Sequence, residues 1–177
     1  MNQNEILRVK NLVRNIPDFP VLGIQFKDLT TAFKNPTALR VLTDALVELY
    51  KDRGVTKVVG IESRGFIGGS MLAVSLGAGF VPIRKPGKLP AETLSRSYDK
   101  EYGTDTIEIH SDAIEPGDVV VLHDDLLATG GTMRAAYELV KSMGPQKIYI
   151  NFLCELDALN GRQLLPNDVE VTSLFSF

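Results

Sequence analysis

A strand–helix–strand alternation occurs twice in this chain, and this recurrence constrains the fold more than any other feature. Short apolar runs predict strands, and longer stretches between them with helical spacing predict helices. The predicted strands are residues 57–61, 80–84, 119–123 and 147–154, and the predicted helices are residues 66–76 and 132–143. Because helices that connect parallel strands cover both faces of the sheet, the pattern predicts an α/β fold with a mostly parallel central sheet flanked by helices.

The remaining segments have weaker patterns. Apolar residues at helical spacing predict a short N-terminal helix that ends before Pro17. Asn35 and Pro36 are residue types typical of a helix N-cap and first helical position, so a second helix is expected from there to Gly54. The segment between these two helices has no period and is expected to be a loop. Residues 85–110 contain Gly, Pro and two weak strand-like stretches, which indicates a functional flap.

The composition is that of an ordinary globular protein. With 177 residues, 44% hydrophobic and 23% charged, the chain is expected to form a single domain over residues 1–177. A net charge of −3 argues against a protein that coats nucleic acid. One cysteine and two histidines are too few for an intramolecular disulfide or a His/Cys metal cluster, and they favour a reducing, cytoplasmic location.

An uncharged stretch between Arg64 and Arg84 approaches the length of a membrane span. Gly77 and Gly79 divide it into a piece of helix length and a short β-prone run. We therefore expect a buried helix followed by a strand, and no membrane partner. The first residues of the chain lack the apolar core of a signal peptide.

The segment VVVLHDDLLATGGTMRAAYELV carries the strongest functional signal. Gly130 and Gly131 allow backbone amides to converge on an anion, and the helix that follows presents the positive end of its dipole. Asp124 and Asp125 lie at the carboxyl end of the strand, where α/β sheets bind ligands and where carboxylates can accept hydrogen bonds from sugar hydroxyls. A bare TGGT could equally be an ordinary turn with helix caps. The acid pair before it favours a site for a phosphorylated sugar.

The segment VLHDDLLATGGT resembles the signature for phosphoribosyl pyrophosphate (PRPP) of type I phosphoribosyltransferases. Four further segments resemble the adenine-specific members of that family: IPDFPVLGIQFKD, GIESRGF, IRKPGKLP and KEYGTD. The resemblance implies a PRPP site whose acids, Asp124 and Asp125, bind the ribose hydroxyls. It assigns the 5-phosphate to the loop residues Ala128, Thr129, Gly130, Gly131 and Thr132. It assigns the pyrophosphate to Ser63, Arg64, Arg84, Lys85 and Lys88, in part across a dimer interface.

The resemblance also implies a base site and catalytic residues. Residues 1–34 would form a small N-terminal hood in which Phe26 stacks on adenine and backbone groups near Ile24 and Lys27 contact the edge of the base. Residues 85–110 would form the flap, with Glu101 and Tyr102 assisting the reaction together with Arg64. Leu22 and His123 depart from the family pattern, and His123 is expected to be packed or hydrogen-bonded rather than catalytic.

The function implied is the transfer of adenine onto PRPP to give AMP and pyrophosphate, with Mg²⁺ held mainly by PRPP and water, in a cytoplasmic homodimer. Two alternatives remain open from the sequence. One is a PRPP or purine sensor without activity on the same fold. The other is a phosphoribosyltransferase for hypoxanthine, guanine, xanthine or orotate. Motifs for ATP hydrolysis and dinucleotide binding do not occur.

Overall fold

The computed structural model describes residues 3–99 and 103–177 of the chain. The helices are α1 (Gln3–Leu12), α2 (Thr30–Phe33), α3 (Pro36–Tyr50), α4 (Gly65–Leu76) and α5 (Gly131–Lys141). The strands are β1 (Arg14–Pro17), β2 (Gln25–Asp28), β3 (Lys57–Ile61), β4 (Gly79–Ile83), β5 (Thr93–Asp99), β6 (Thr104–His110), β7 (Val119–Leu127), β8 (Lys147–Glu155) and β9 (Val171–Ser176). Short 3-10 helices lie at Asp157–Leu159 and Gly161–Leu164.

A five-stranded parallel sheet forms the centre of the fold, in the order β4-β3-β7-β8-β9. This arrangement confirms the predicted α/β class and its mostly parallel sheet. The predicted strand 119–123 is too short, because β7 continues to Leu127 and contains both acids of the functional segment. The edge strand β9 was not predicted, since its sequence, VTSLFS, has polar residues in three of six positions.

Glycines bring α4 unusually close to the sheet. A Cβ placed on Gly68 would lie 2.3 Å from Nε2 of His123 on β7, and one on Gly65 would lie 2.9 Å from the carbonyl oxygen of His123. These positions therefore require glycine for the helix to pack at this distance. The uncharged stretch of the sequence forms α4 and β4, and no helix in the described part of the chain is long and apolar enough to cross a membrane.

The described chain divides into two compact units, one ending at Leu49 and the other spanning Tyr50–Phe177. In the second unit, α5 packs an apolar face that includes Met133 and Val140 into the core, with the sheet residues Leu122 and Ile150 in the same cluster. The prediction of one domain over residues 1–177, made from length and composition, stays a prediction.

In the first unit, Asn35 caps α3 as predicted, because its Oδ1 accepts hydrogen bonds from the amides of Thr37 and Ala38 at 3.0 Å. The prediction of a loop between the first two long helices is wrong. Antiparallel β1 and β2 form a hairpin there, in which Arg14 pairs with Asp28, and α2 follows it. Each strand has only four residues; β1 is mostly exposed, and β2 (QFKD) has polar residues at three of four positions, so no apolar alternation marks the hairpin in the sequence.

The predicted flap region contains an antiparallel hairpin. Strands β5 and β6 pair from Thr93 opposite His110 to Asp99 opposite Thr104. Ile107 and Ile109 on β6 are buried in the core, so this strand is anchored, whereas β5 is mostly exposed.

Candidate active site

The acid pair lies near the carboxyl end of β7, with its two side chains in different surroundings. Asp124 is half-buried and lines the cavities described below, and its Oδ1 accepts a hydrogen bond from the amide of Asp125 at 2.9 Å. Asp125 is buried, and its Oδ2 lies 2.6 Å from Nε of Arg64 at the start of α4. Arg64 was predicted to bind pyrophosphate; in the structure its guanidinium pairs with Asp125, an acid of the predicted ribose site.

The two carboxylates differ in their electrostatics. Burial, followed by the negative charge of Asp125, raises the pKa of Asp124 well above its ordinary value. Burial also raises the pKa of Asp125, but Arg64 opposes this rise. Arg64 pairs directly with Asp125 and has a smaller influence on Asp124, so Asp125 carries the negative charge more readily than Asp124.

The loop after β7 has the geometry of an anion site. Gly130 has φ +89°, which favours glycine, and α5 begins at the next residue. The amides of a first helical turn have no acceptor within the helix, so they can donate to a phosphate. A cavity of about 80 Å³ is lined by the residues of this loop, namely Ala128, Thr129, Gly130, Gly131 and Thr132, together with neighbours that include Asp124.

Gly161 holds this loop in place, although no sequence motif pointed to it. A Cβ on Gly161 would lie 2.2 Å from the carbonyl oxygen of Ala128, and a Cβ on Gly130 would lie 2.5 Å from the carbonyl oxygen of Gly161. The backbone at Gly161 and the backbone of the loop at residues 128–130 are therefore in direct contact, which the two glycines allow. No local signal in the sequence NGRQ distinguishes this glycine from one in an ordinary turn.

A second cavity, of about 220 Å³, adjoins the acid pair. Its polar lining consists of Glu62, Arg84, Lys85, Tyr98, Asp124 and Thr132. The structure thus brings two predicted pyrophosphate residues, Arg84 and Lys85, to the same cavity as an acid and a threonine of the predicted sugar-phosphate site. Asp124 and Thr132 line both cavities, so the two spaces share a boundary.

Carboxylates hold the cations of the second cavity. Glu62 accepts hydrogen bonds from Arg84 Nε at 3.2 Å and from the amide of Lys85 at 3.0 Å, and these contacts lower the pKa of Glu62. Lys85 forms an ion pair with Asp105 of β6. Of the other predicted pyrophosphate residues, Ser63 and Lys88 are exposed and line neither cavity.

The predicted base-binding residues lie on or beside the hairpin of the first unit. Phe26 is half-buried on β2, and its ring meets that of Phe19 edge to face, with centroids 5.1 Å apart. Ile24 is exposed, and Lys27 is half-buried on the same strand. Phe26 therefore has a fixed neighbour on one side. Glu101 and Tyr102, predicted to be catalytic, lie outside the described residues.

His123 is a buried structural residue, as expected. Its Nδ1 lies 2.7 Å from Oδ1 of Asn151, and Asn151 donates a hydrogen bond to Thr172, whose hydroxyl also pairs with Tyr50. Burial lowers the pKa of His123 to about 4, so the imidazole is neutral at physiological pH.

Metal ligands supplied by the protein are few. Within residues 3–99 and 103–177, no group of three or more His, Cys, Asp or Glu side chains is arranged to hold a metal ion. Asp124 lines the cavity of residues 128–132 and Asp125 follows it in the sequence, and both are oxygen donors of the type that Mg²⁺ prefers.

Comparison with known proteins shows which protein family the chain belongs to. The phosphoribosyl transferase domain family matches residues 29–176. A protein of Bacteroides thetaiotaomicron named adenine phosphoribosyltransferase is 62% identical over 164 residues, which cover 93% of this chain and 93% of the relative. The chain belongs to the phosphoribosyltransferase family.

Comparison with solved structures narrows the assignment within that family. The adenine phosphoribosyltransferase of Rhodothermus marinus superposes with a TM-score of 0.94 and 52% identity, covering 99% of this chain and 100% of that chain. The Giardia lamblia enzyme, complexed with 9-deazaadenine, has a TM-score of 0.92 and 45% identity, covering 97% of each chain. Within the family, the chain groups with the adenine phosphoribosyltransferases, which confirms the resemblance found in the sequence.

Proposed function

We propose that the chain catalyses the Mg²⁺-dependent reaction of adenine with PRPP to give AMP and pyrophosphate, a step of purine salvage. One observation carries this proposal. The anion loop and the cavity with Arg84 and Lys85 share Asp124 and Thr132 as their boundary. A ligand with a phosphate at one end, a pyrophosphate at the other and a ribose between them matches this arrangement of loop, shared boundary and basic side chains.

The binding roles follow from that placement. The amides and hydroxyls of residues 128–132 bind the 5-phosphate. Asp124 and Asp125 accept hydrogen bonds from the ribose hydroxyls, while Arg84 and Lys85 exchange their carboxylate partners for oxygens of the pyrophosphate. Lys88 and Ser63 are within the segments that resemble the family's pyrophosphate site and would contribute once PRPP is bound.

The reaction needs no covalent intermediate with the protein. The bond between C1 of the ribose and the pyrophosphate oxygen breaks, and adenine N9 forms a bond to C1 while its proton is released. Arg84 and Lys85 stabilise the negative charge that develops on the leaving pyrophosphate. Glu101 and Tyr102, assigned by resemblance, would assist the base, and the flap would exclude water, since hydrolysis of PRPP competes with transfer.

The oxygen donors of the site fit Mg²⁺. Asp124, which lines both cavities, would offer a carboxylate oxygen, and PRPP and water would hold most of the ion, which agrees with the tendency of Mg²⁺ to retain waters. When bound, the ion supplies positive charge that neutralises the pyrophosphate and makes it a better leaving group. Asp124, whose pKa is raised by burial, would become charged as the ion approaches.

Adenine is proposed as the base because relatives and solved structures that match nearly the whole chain are named adenine phosphoribosyltransferases. Phe26 would provide an aromatic face for the purine ring, with backbone groups near Ile24 and Lys27 contacting its edge. A cytoplasmic homodimer, in which basic residues of one subunit reach the site of the other, completes the proposal by resemblance to the family.

The test is a spectrophotometric assay with PRPP, MgCl₂ and each base in turn. Turnover is expected with adenine, and its loss on addition of EDTA with recovery on excess MgCl₂ would support the metal requirement. Turnover of hypoxanthine but not adenine would overturn the choice of base. Binding of PRPP in calorimetry without turnover of any base would favour the sensor.

A further inference from the structure

Tyr98 lines the cavity that contains Arg84 and Lys85, and the proposed reaction gives it no role. It lies on β5 of the flap hairpin, and its hydroxyl is 2.9 Å from the hydroxyl oxygen of Thr132 in the phosphate loop. The same hydroxyl donates to Oδ2 of Asp105 at 3.3 Å. Its ring also covers the loop, because a Cβ on Gly131 would lie 3.5 Å from Cδ2 of Tyr98.

We propose that Tyr98 is a positioning residue for the 5-phosphate site, which acts by donating its hydroxyl proton to Thr132 while Thr132 donates to a phosphate oxygen. The inference rests on the proposed function in one respect, namely that residues 128–132 bind the 5-phosphate of the substrate. It adds a residue of the flap hairpin to that site.

The hydrogen-bond inventory supports this direction of donation. A threonine hydroxyl has one proton and two lone pairs, so once Thr132 gives its proton to phosphate, its contact with Tyr98 persists only if the tyrosine is the donor. Tyr98 is the side chain at hydrogen-bond distance that supplies this second proton. A donor chain of this kind polarises each member and strengthens the bond to the anion.

Asp105 is the alternative acceptor for the same tyrosine proton, and it is already engaged. As long as no pyrophosphate draws Lys85 away, as when ribose 5-phosphate alone is bound, Asp105 Oδ2 keeps its ion pair with that lysine, which reduces its need for the hydroxyl. The distances also favour Thr132 as the partner of the Tyr98 hydroxyl, since its contact with Thr132 is shorter than its contact with Asp105. The tyrosine proton therefore turns to Thr132 when phosphate draws the threonine proton away.

The experiment uses Tyr98→Phe, which removes the hydroxyl and keeps the ring over Gly131. Affinities for ribose 5-phosphate, pyrophosphate and adenine are measured separately by calorimetry. The affinity for ribose 5-phosphate is expected to fall about three- to tenfold, as for the loss of one hydrogen bond. Affinities for pyrophosphate and adenine are expected to stay within twofold of the wild type. A uniform loss for all three ligands would indicate a merely structural role and overturn the proposal.

A double-mutant cycle with Thr132→Val tests whether Tyr98 acts through the threonine. In the Thr132→Val background, Tyr98→Phe is expected to have no further effect on ribose 5-phosphate affinity. Equal effects in the two backgrounds would refute the proposed coupling. The matched control is Tyr50→Phe, which also removes a tyrosine–threonine hydroxyl pair, at 2.7 Å from Thr172, and is expected to leave all three affinities unchanged.

A second variant covers the case in which Tyr98→Phe does not fold. Asp105→Asn weakens the competing acceptor, so ribose 5-phosphate affinity is expected to be unchanged or higher; a fivefold loss would contradict the proposal. Failure of the wild type to bind ribose 5-phosphate would instead count against the proposed function. The two failures are therefore distinguishable.

Discussion

Substitution of Gly161 by alanine should damage the phosphate loop without touching any ligand. The added Cβ would lie 2.2 Å from the carbonyl oxygen of Ala128 and 3.0 Å from Cδ1 of Leu127. Gly161 does not have a positive φ, so its backbone conformation is open to alanine. The whole penalty therefore comes from the contact with the loop that leads to Thr132.

The size of the effect follows from that contact. Cβ atoms essentially never approach closer than 3.0 Å, so a contact of 2.2 Å requires a displacement of about 0.8 Å in one of the two backbones. Overpacking of this kind costs about 1–3 kcal/mol in the free energy of unfolding. A displacement approaching 1 Å at a binding loop can cost about 100-fold in rate. We expect kcat/KM for PRPP to fall by about 10- to 100-fold.

The assay is initial-rate kinetics with PRPP as the varied substrate, together with urea unfolding of each variant. Gly79→Ala is the matched control, because a Cβ there meets the flexible side chain of Lys57 at 3.3 Å, away from the loop. It should retain kcat/KM within about twofold. A Gly161→Ala enzyme with wild-type kcat/KM for PRPP would show that the loop tolerates the displacement and would refute the reasoning.

Three further substitutions test other parts of the structure. Asp125→Asn keeps the shape of the acid but leaves Arg64 without its charged partner, so PRPP affinity and turnover should both fall about tenfold or more, and wild-type values for both would disprove the assignment. Phe26→Leu should raise KM for adenine about fivefold or more and leave KM for PRPP within twofold, as steady-state kinetics can verify. The pKa of His123 is about 4 in the folded chain against 6.5 in the unfolded one, so the unfolded chain binds the proton first as the pH falls, and about 3 kcal/mol of stability is lost between pH 6.5 and 4. In urea unfolding at several pH values, His123→Leu should remove this part of the pH dependence of stability. An unchanged pH profile would contradict the low pKa of His123 in the folded chain.

Local sequence signals predicted most of the central architecture. The mostly apolar runs of five to eight residues were recognised as strands of the parallel sheet, and β3 begins and ends at the predicted residues. Asn35 and Pro36 marked the start of α3 because a cap is a property of neighbouring residues. The hairpin β1–β2 and the edge strand β9 were missed because exposed or mixed strands lack a clear period, and their pairing partners decide their conformation.

The sequence by itself was enough to predict the class of site. An acid pair followed by a Gly-rich turn and a helix is a contiguous pattern, so the order of residues along the chain singles out Asp124, Asp125 and residues 128–132 as candidates. The tertiary structure decided how these groups are held. Gly161 against Ala128, Arg64 against Asp125 and Tyr98 against Thr132 are contacts between residues more than thirty positions apart. Such contacts depend on the order of strands in the sheet, which no local spacing encodes.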